Sequence, residues 1–176
     1  MPVQWKGVLR REIKDAKKIC ILAVGNAKRG DDTAGPLILT MLSSRLKKRK
    51  FRNLLLINGG ETPENFSGNI RKFQPTLTII IDACISGKKP GTIYLVNPAQ
   101  IQFDDISTHR LPLSMFVKFL EQTIPTRVIV LGIEPKKLNF GDDISPEINR
   151  TIDSFVPLMV QLLNDWRKLK KEFLDF

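Results

Sequence analysis

Three short segments carry side chains suited to acid–base or metal chemistry. The first, Gly25-Asn26-Ala27-Lys28-Arg29-Gly30-Asp31-Asp32-Thr33-Ala34-Gly35-Pro36, sets a pair of carboxylates in a glycine-bounded loop. The second, Ile79-Ile80-Ile81-Asp82-Ala83-Cys84, closes an apolar run with an aspartate. The third, Ser107-Thr108-His109-Arg110-Leu111-Pro112-Leu113, holds the one histidine of the chain. A carboxylate at the tip of a buried strand is costly unless a metal, a cation or hydrogen-bond donors meet it, and Asp82 is expected there. Asp32, Asp82 and His109 together form an O/O/N donor set with open positions, a chemistry that suits nickel, iron or zinc. Each residue also has a simpler role. Asp32 or Thr33 could cap the next helix, Asp82 could serve a turn, and a lone histidine often only sits on the surface or in a satisfied core. The first loop is no phosphate loop, because it lacks both G-x-G-x-x-G and the Gly-Lys-Ser/Thr signature.

The elements that must position these residues alternate along the chain. Trp5, Val8, Leu9, Ile13 and Ala16 fall on one helical stripe. Residues 18–24, unbroken apolar after Lys18 and ending at Gly25, have the pattern of a strand buried on both faces. A helix is predicted over Gly35 to Lys50, then strands at Leu54 to Ile57 and Leu77 to Asp82. The stretch Thr92 to Val96 follows a Pro90-Gly91 turn closely enough to be an antiparallel hairpin partner. Leu113 to Gln122 reads as a helix and Arg127 to Leu131 as the fifth strand. Ser145-Pro146-Glu147 combines a hydroxyl cap, proline at the first helical position and an early acid, and opens a long helix with a kink expected at Pro157. The sum is a three-layer α/β/α domain, phosphorylase/hydrolase-like, on a five-stranded, mostly parallel twisted sheet with one antiparallel strand. In such sheets ligands gather beyond the carboxyl ends of strands, where all three segments are expected.

The chain has 176 residues and a formal net charge of +10, a size that fits one domain. Within it, 1–18 is a basic amphipathic helix, 19–165 the core and 166–176 a basic helical tail. The positive charge gathers at 1–18, 45–52 and 166–176, at helix ends and termini rather than around the acids, which favours a solvated surface over a nucleic-acid groove. Cys20 and Cys84 form no repeated spacing, so no disulfide framework is expected and a cytoplasmic setting is the simpler one. The N-terminus lacks the apolar core of a signal peptide, and no window approaches a membrane span.

Taken together, Val24-Gly25-Asn26, Gly30-Asp31-Asp32, Gly35-Pro36, Gly59-Gly60-Glu61-Thr62-Pro63-Glu64-Asn65, Ile81-Asp82-Ala83, Thr108-His109-Arg110-Leu111-Pro112-Leu113 and Leu131-Gly132-Ile133-Glu134-Pro135 resemble the hydrogenase maturation endopeptidases. The similarity is greatest to the formate-hydrogenlyase (hydrogenase 3) branch. It implies an endopeptidase that removes the C-terminal extension of a [NiFe] hydrogenase large-subunit precursor once nickel is inserted. It also implies that Asp32, Asp82 and His109 contact nickel, which the precursor supplies and the enzyme does not keep. Many relatives carry aspartate before the Gly-Gly pair, where this chain has Asn58. If that acid does chemistry elsewhere in the family, either Asp31 or Glu61 replaces it here or this enzyme is slow.

Two other readings compete. A peptidyl-tRNA hydrolase-like esterase shares the Gly-Asn turn, an aspartate and a histidine, and the net charge suits tRNA, but the turn lacks the following Pro-Gly and His109 comes late. A non-enzymatic basic α/β domain would bind nucleic acid through Arg45 to Arg52, with the acids as caps. The expected partner is the precursor, with a monomeric enzyme and no membrane insertion.

Overall fold

Six consecutive apolar residues build the first strand, β1 (Ile19–Val24), and every one is buried. A strand apolar at both odd and even positions must be covered on both faces, and the computed structural model, which describes residues 4–46, 51–97 and 112–172, shows how. Ile19, Ile21 and Ala23 enter one core with Ile79 and Ile81, under helices α1 (Trp5–Asp15), α2 (Ala34–Leu46) and α5 (Pro146–Glu172). Cys20, Leu22 and Val24 enter the other with Ile80 and Val130, under α3 (Ser67–Phe73) and α4 (Leu113–Thr123). The three-layer α/β/α architecture is as expected.

The sheet order is β2-β1-β3-β5-β4. β2 (Leu54–Gly60), β1, β3 (Leu77–Ala83) and β5 (Arg127–Ile133) run parallel, so their carboxyl ends share one edge. The antiparallel strand is β4 (Ile93–Val96), but its partner is β5 and not β3. The reason is positional: β3 lies between β1 and β5 with both flanks paired, so the chain leaving it must pass over β5 to find an open edge. Tyr94 fixes that crossing by donating its hydroxyl to Cys84 O at 2.7 Å.

Two elements differ from the sequence reading. β2 continues through Asn58-Gly59-Gly60, and α3 fills the connection to β3. α3 is seven residues long and buries only Ile70, too little to print a helical period on the sequence. α5 runs through Pro157 as one helix. Its start is capped as anticipated, Ile148 N–H donating to Ser145 Oγ at 3.4 Å. Near its far end Trp166 Nε1 donates to Ala16 O at 2.7 Å, latching α5 to the entrance of β1.

Ile79, Ile80 and Ile81 are fully buried, so β3 is held on both faces up to the residue before Asp82. Among the described residues no helix is long and apolar enough to cross a membrane.

Candidate active site

Where β1 ends, Gly25 takes φ +137°, and a Cβ there would lie 2.0 Å from Asp32 O. Only glycine permits that approach, and it lets the loop fold back until Asn26 N–H donates to Asp32 Oδ2 at 2.8 Å. Inside the loop Lys28 N–H donates to Asn26 Oδ1 at 2.8 Å and Asp32 N–H to Arg29 O at 3.0 Å. A 3-10 turn, Gly30–Thr33, then delivers the chain to α2. Gly35 sets the depth of that helix, because a Cβ on it would meet Val24 O at 2.5 Å and Ile81 O at 2.8 Å. The start of α2 is thus pressed against the ends of both β1 and β3, and Asp32, partly exposed, is held at their junction.

Asp82 is also partly exposed and stands one strand away, in register with Gly132 of β5. Cys84 follows Asp82 at the same strand end and is partly buried. Burial is the main force raising its thiol pKa, followed by the charges of Asp82, Glu134 and Asp32 and a side-chain hydrogen bond with Asp82. The thiol is therefore neutral at physiological pH, a polar neighbour of both acids rather than a thiolate ligand.

Asp31 has a different environment from Asp32. It is fully buried, and its carboxylate accepts from Lys136 N–H (2.8 Å), Lys137 N–H (3.1 Å), Ser145 N–H (2.6 Å) and Ser145 Oγ (3.0 Å). These bonds tie the first loop to the segment between β5 and α5. Glu134, which sequence reasoning noted only as part of a motif, makes a second internal clamp. Only 4% exposed, it accepts from Ser86 N–H (2.9 Å), Ser86 Oγ (2.6 Å) and Gly87 N–H (3.2 Å), and so pins the loop that follows β3. The available signal was an acid placed directly after the end of the fifth strand, two residues past Gly132.

Asn58 is exposed on β2, paired in register with Ala23, and its Oδ1 accepts from Gly60 N–H at 3.2 Å, shaping the bulge at which Gly25 N–H reaches Gly60 O. Glu61 follows on the exposed rim of that strand end. His109 lies outside the described residues, as does the basic stretch 47–50. Among the described residues no group of three or more His, Cys, Asp or Glu could hold a metal ion. The described part of the site is thus a carboxylate pair, which supplies oxygen donors and leaves most of a coordination sphere to others.

A family model described as HycI, hydrogenase maturation protease, matches residues 38–162, a stretch that takes in Asp82 and His109 and begins after Asp32. The hydrogenase 3 maturation protease of Escherichia coli (strain K12) is 33% identical over 147 residues, 83% of this chain and 88% of that one. The crystal structure of a [NiFe] hydrogenase maturation protease HycI from Thermococcus kodakarensis KOD1 superposes with a TM-score of 0.76 at 27% identity, covering 89% of this chain and 99% of that chain. The solution structure of the endopeptidase HycI from Escherichia coli gives a TM-score of 0.67 at 32% identity, over 80% of this chain and 87% of that one. With the family model spanning most of the sequence and the fold shared, the chain belongs to the hydrogenase maturation protease family.

Proposed function

We propose that this maturation endopeptidase removes the C-terminal extension of a [NiFe] hydrogenase large-subunit precursor, and does so only when nickel is in place. The observation that carries the reading is that Asp32 and Asp82 stand, both partly exposed, at the carboxyl ends of the neighbouring strands β1 and β3. Nickel in this reading is part of the substrate. Held by cysteines of the precursor, it completes its ligand set on Asp32, Asp82 and His109. Two carboxylates and an imidazole without a thiolate bind nickel only modestly, which favours release of the loaded product. Ligation locks the C-terminal segment against the sheet edge, and that orientation is what hydrolysis needs.

The base that activates water is Glu61 in this reading: of the acids the resemblance offers in place of Asn58, Asp31 is fully buried and fixed by four donors, and Glu61 is the other. The enzyme is expected to act as a cytoplasmic monomer. None of the relatives reported above supports the peptidyl-tRNA hydrolase-like esterase or the nucleic-acid-binding domain.

The test is cleavage of purified precursor with and without nickel. Wild type should cut only the loaded form, and Asp82→Asn and His109→Ala should each lower processing on the order of a hundredfold or more while remaining folded. Equal cleavage of nickel-free precursor, or full activity of His109→Ala, would overturn the metal-dependent mechanism.

A further inference from the structure

The loops leaving β1, β3 and β5 form one continuous wall beside Asp32 and Asp82. Backbone bonds join them: Gly141 N–H donates to Lys28 O at 2.8 Å, Asp31 N–H to Lys137 O at 2.9 Å, and Gly91 N–H to Glu134 O at 2.8 Å. The wall's charges are sorted by depth. Asp31 and Glu134 are buried on backbone and hydroxyl donors, and Lys136 is paired with Glu147 at 2.8 Å. Facing outward are Lys28, Arg29, Lys88 and Lys89, with Asp143 the exposed acid among them. Two large apolar side chains stand on the same loops, Ile85 at 71% and Phe140 at 73% exposure.

A single exposed isoleucine or phenylalanine is ordinary. Here two of them share welded loops with four exposed cations beside a carboxylate pair, and apolar anchors set in a charged rim are the anatomy of a protein docking surface. A polyphosphate partner fits less well. It would leave Ile85 and Phe140 in water, and Asp32 and Asp82 would repel it.

We propose that Lys28, Arg29, Ile85, Lys88, Lys89 and Phe140 form the surface that docks the protein substrate, and that they receive a segment carrying both apolar side chains and carboxylates. This rests on the reading of the Asp32–Asp82 edge as the active site. The charge arrangement also orients the segment: its carboxylates are drawn to the rim and kept off the centre, where like charge repels them.

The experiment measures binding of nickel-free precursor, which docks without being cut, to the full chain over a range of salt concentrations. Lys28→Gln/Arg29→Gln/Lys88→Gln/Lys89→Gln should weaken binding about tenfold at low salt and flatten the salt dependence. Ile85→Ser/Phe140→Ser should weaken it about tenfold at every salt concentration and leave the slope alone. Arg71→Gln/Lys72→Gln, on α3 and away from this edge, is the control and should bind as wild type does. Wild-type affinity and slope in both wall variants would overturn the proposal, as would a tRNA that displaces precursor from wild type but not from the quadruple variant. Asp82→Asn separates the two readings. It should dock normally and fail to cut loaded precursor, whereas normal cutting would sink the active-site reading while the wall variants still decide docking.

Discussion

Asp31 and Ser145 are 114 residues apart, yet Ser145 donates both its backbone N–H, at 2.6 Å, and its hydroxyl, at 3.0 Å, to the Asp31 carboxylate. The neighbouring Asp32 turns toward the sheet edge and accepts from Asn26 N–H. Two adjacent acids in one loop thus have different surroundings: Asp31 is buried and holds the fold, while Asp32 is partly exposed at the strand ends.

Replacing Asp31 by Asn should therefore act on stability first. The amide presents an NH2 to donors that now share an ionised carboxylate, and each buried donor left unpaired costs about 1–3 kcal/mol. Thermal unfolding should show a clear fall in Tm, with cleavage lost only as the folded fraction falls. An unchanged Tm with abolished cleavage would show that Asp31 acts in the reaction instead.

Glu134→Gln should loosen the loop 84–89 without disturbing the sheet. The loss of a charge-assisted acceptor for Ser86 and Gly87 weakens that clamp by about 1–3 kcal/mol. Hydrogen exchange at Ser86 and Gly87 should accelerate while the amides of β3 stay protected. Unaltered exchange at both would mean that other contacts hold the loop.

Gly35→Ala places a methyl against two backbone carbonyls that cannot yield without moving β1 or β3. Overpacking of this kind costs about 1–3 kcal/mol, and the helix start should shift, carrying Asp32 off its position. Both Tm and kcat/KM are expected to fall. Gly68→Ala, where a methyl meets nothing within 4 Å, is the control: it should leave kcat/KM unchanged and, as a helical position, raise Tm slightly if it moves it at all.

The buried thiols and Tyr94 should make the fold less stable at alkaline pH. Burial pushes Cys20 up to about 12, burial also pushes Tyr94 up to about 12, and Cys84 is raised further by burial and by Asp82. A folded pKa above the unfolded one means that the unfolded chain releases its protons first. The stability contributed is thus complete below the unfolded values, near 9 for the thiols and 10 for tyrosine, and is lost as pH rises through the folded ones. Denaturation midpoints should be flat from pH 7 to about 8.5 and fall above pH 9, and Cys20→Ala should reduce that fall. Alkylation of Cys84 by iodoacetamide at pH 8 should lag far behind that of a free thiol. Rapid labelling there would show a thiolate and overturn its neutral assignment.

Much of the fold was legible because parallel strands buried on both faces leave an unbroken apolar run, as in residues 19–24, and because such strands put their acids on one edge. That located Asp32 and Asp82 from local pattern alone. Strand neighbours are another matter. Whether β4 pairs with β3 or β5 depends on which flank is already filled, and no local period records that. α3 was invisible since one buried residue, Ile70, makes no period. The role of Asp31 depended on donors more than 100 residues away, at Lys136, Lys137 and Ser145, so its type and spacing marked it only as a second acid. His109 lies outside the described residues, and its part in the site rests on sequence.

The hydrogen bond between Trp166 and Ala16 joins two parts of the chain that are made far apart during synthesis. β1 leaves the ribosome early, but the core on one of its faces is shared with α5, which packs over α2 and α1 and whose buried Ile148, Ile152, Phe155, Met159 and Leu163 come more than a hundred residues later. Until that helix emerges, Ile19, Ile21, Ile79 and Ile81 have an incomplete cover, and the nascent sheet offers an apolar surface of the kind chaperones bind. A maturation protease thus depends on its own distal helix to complete its fold.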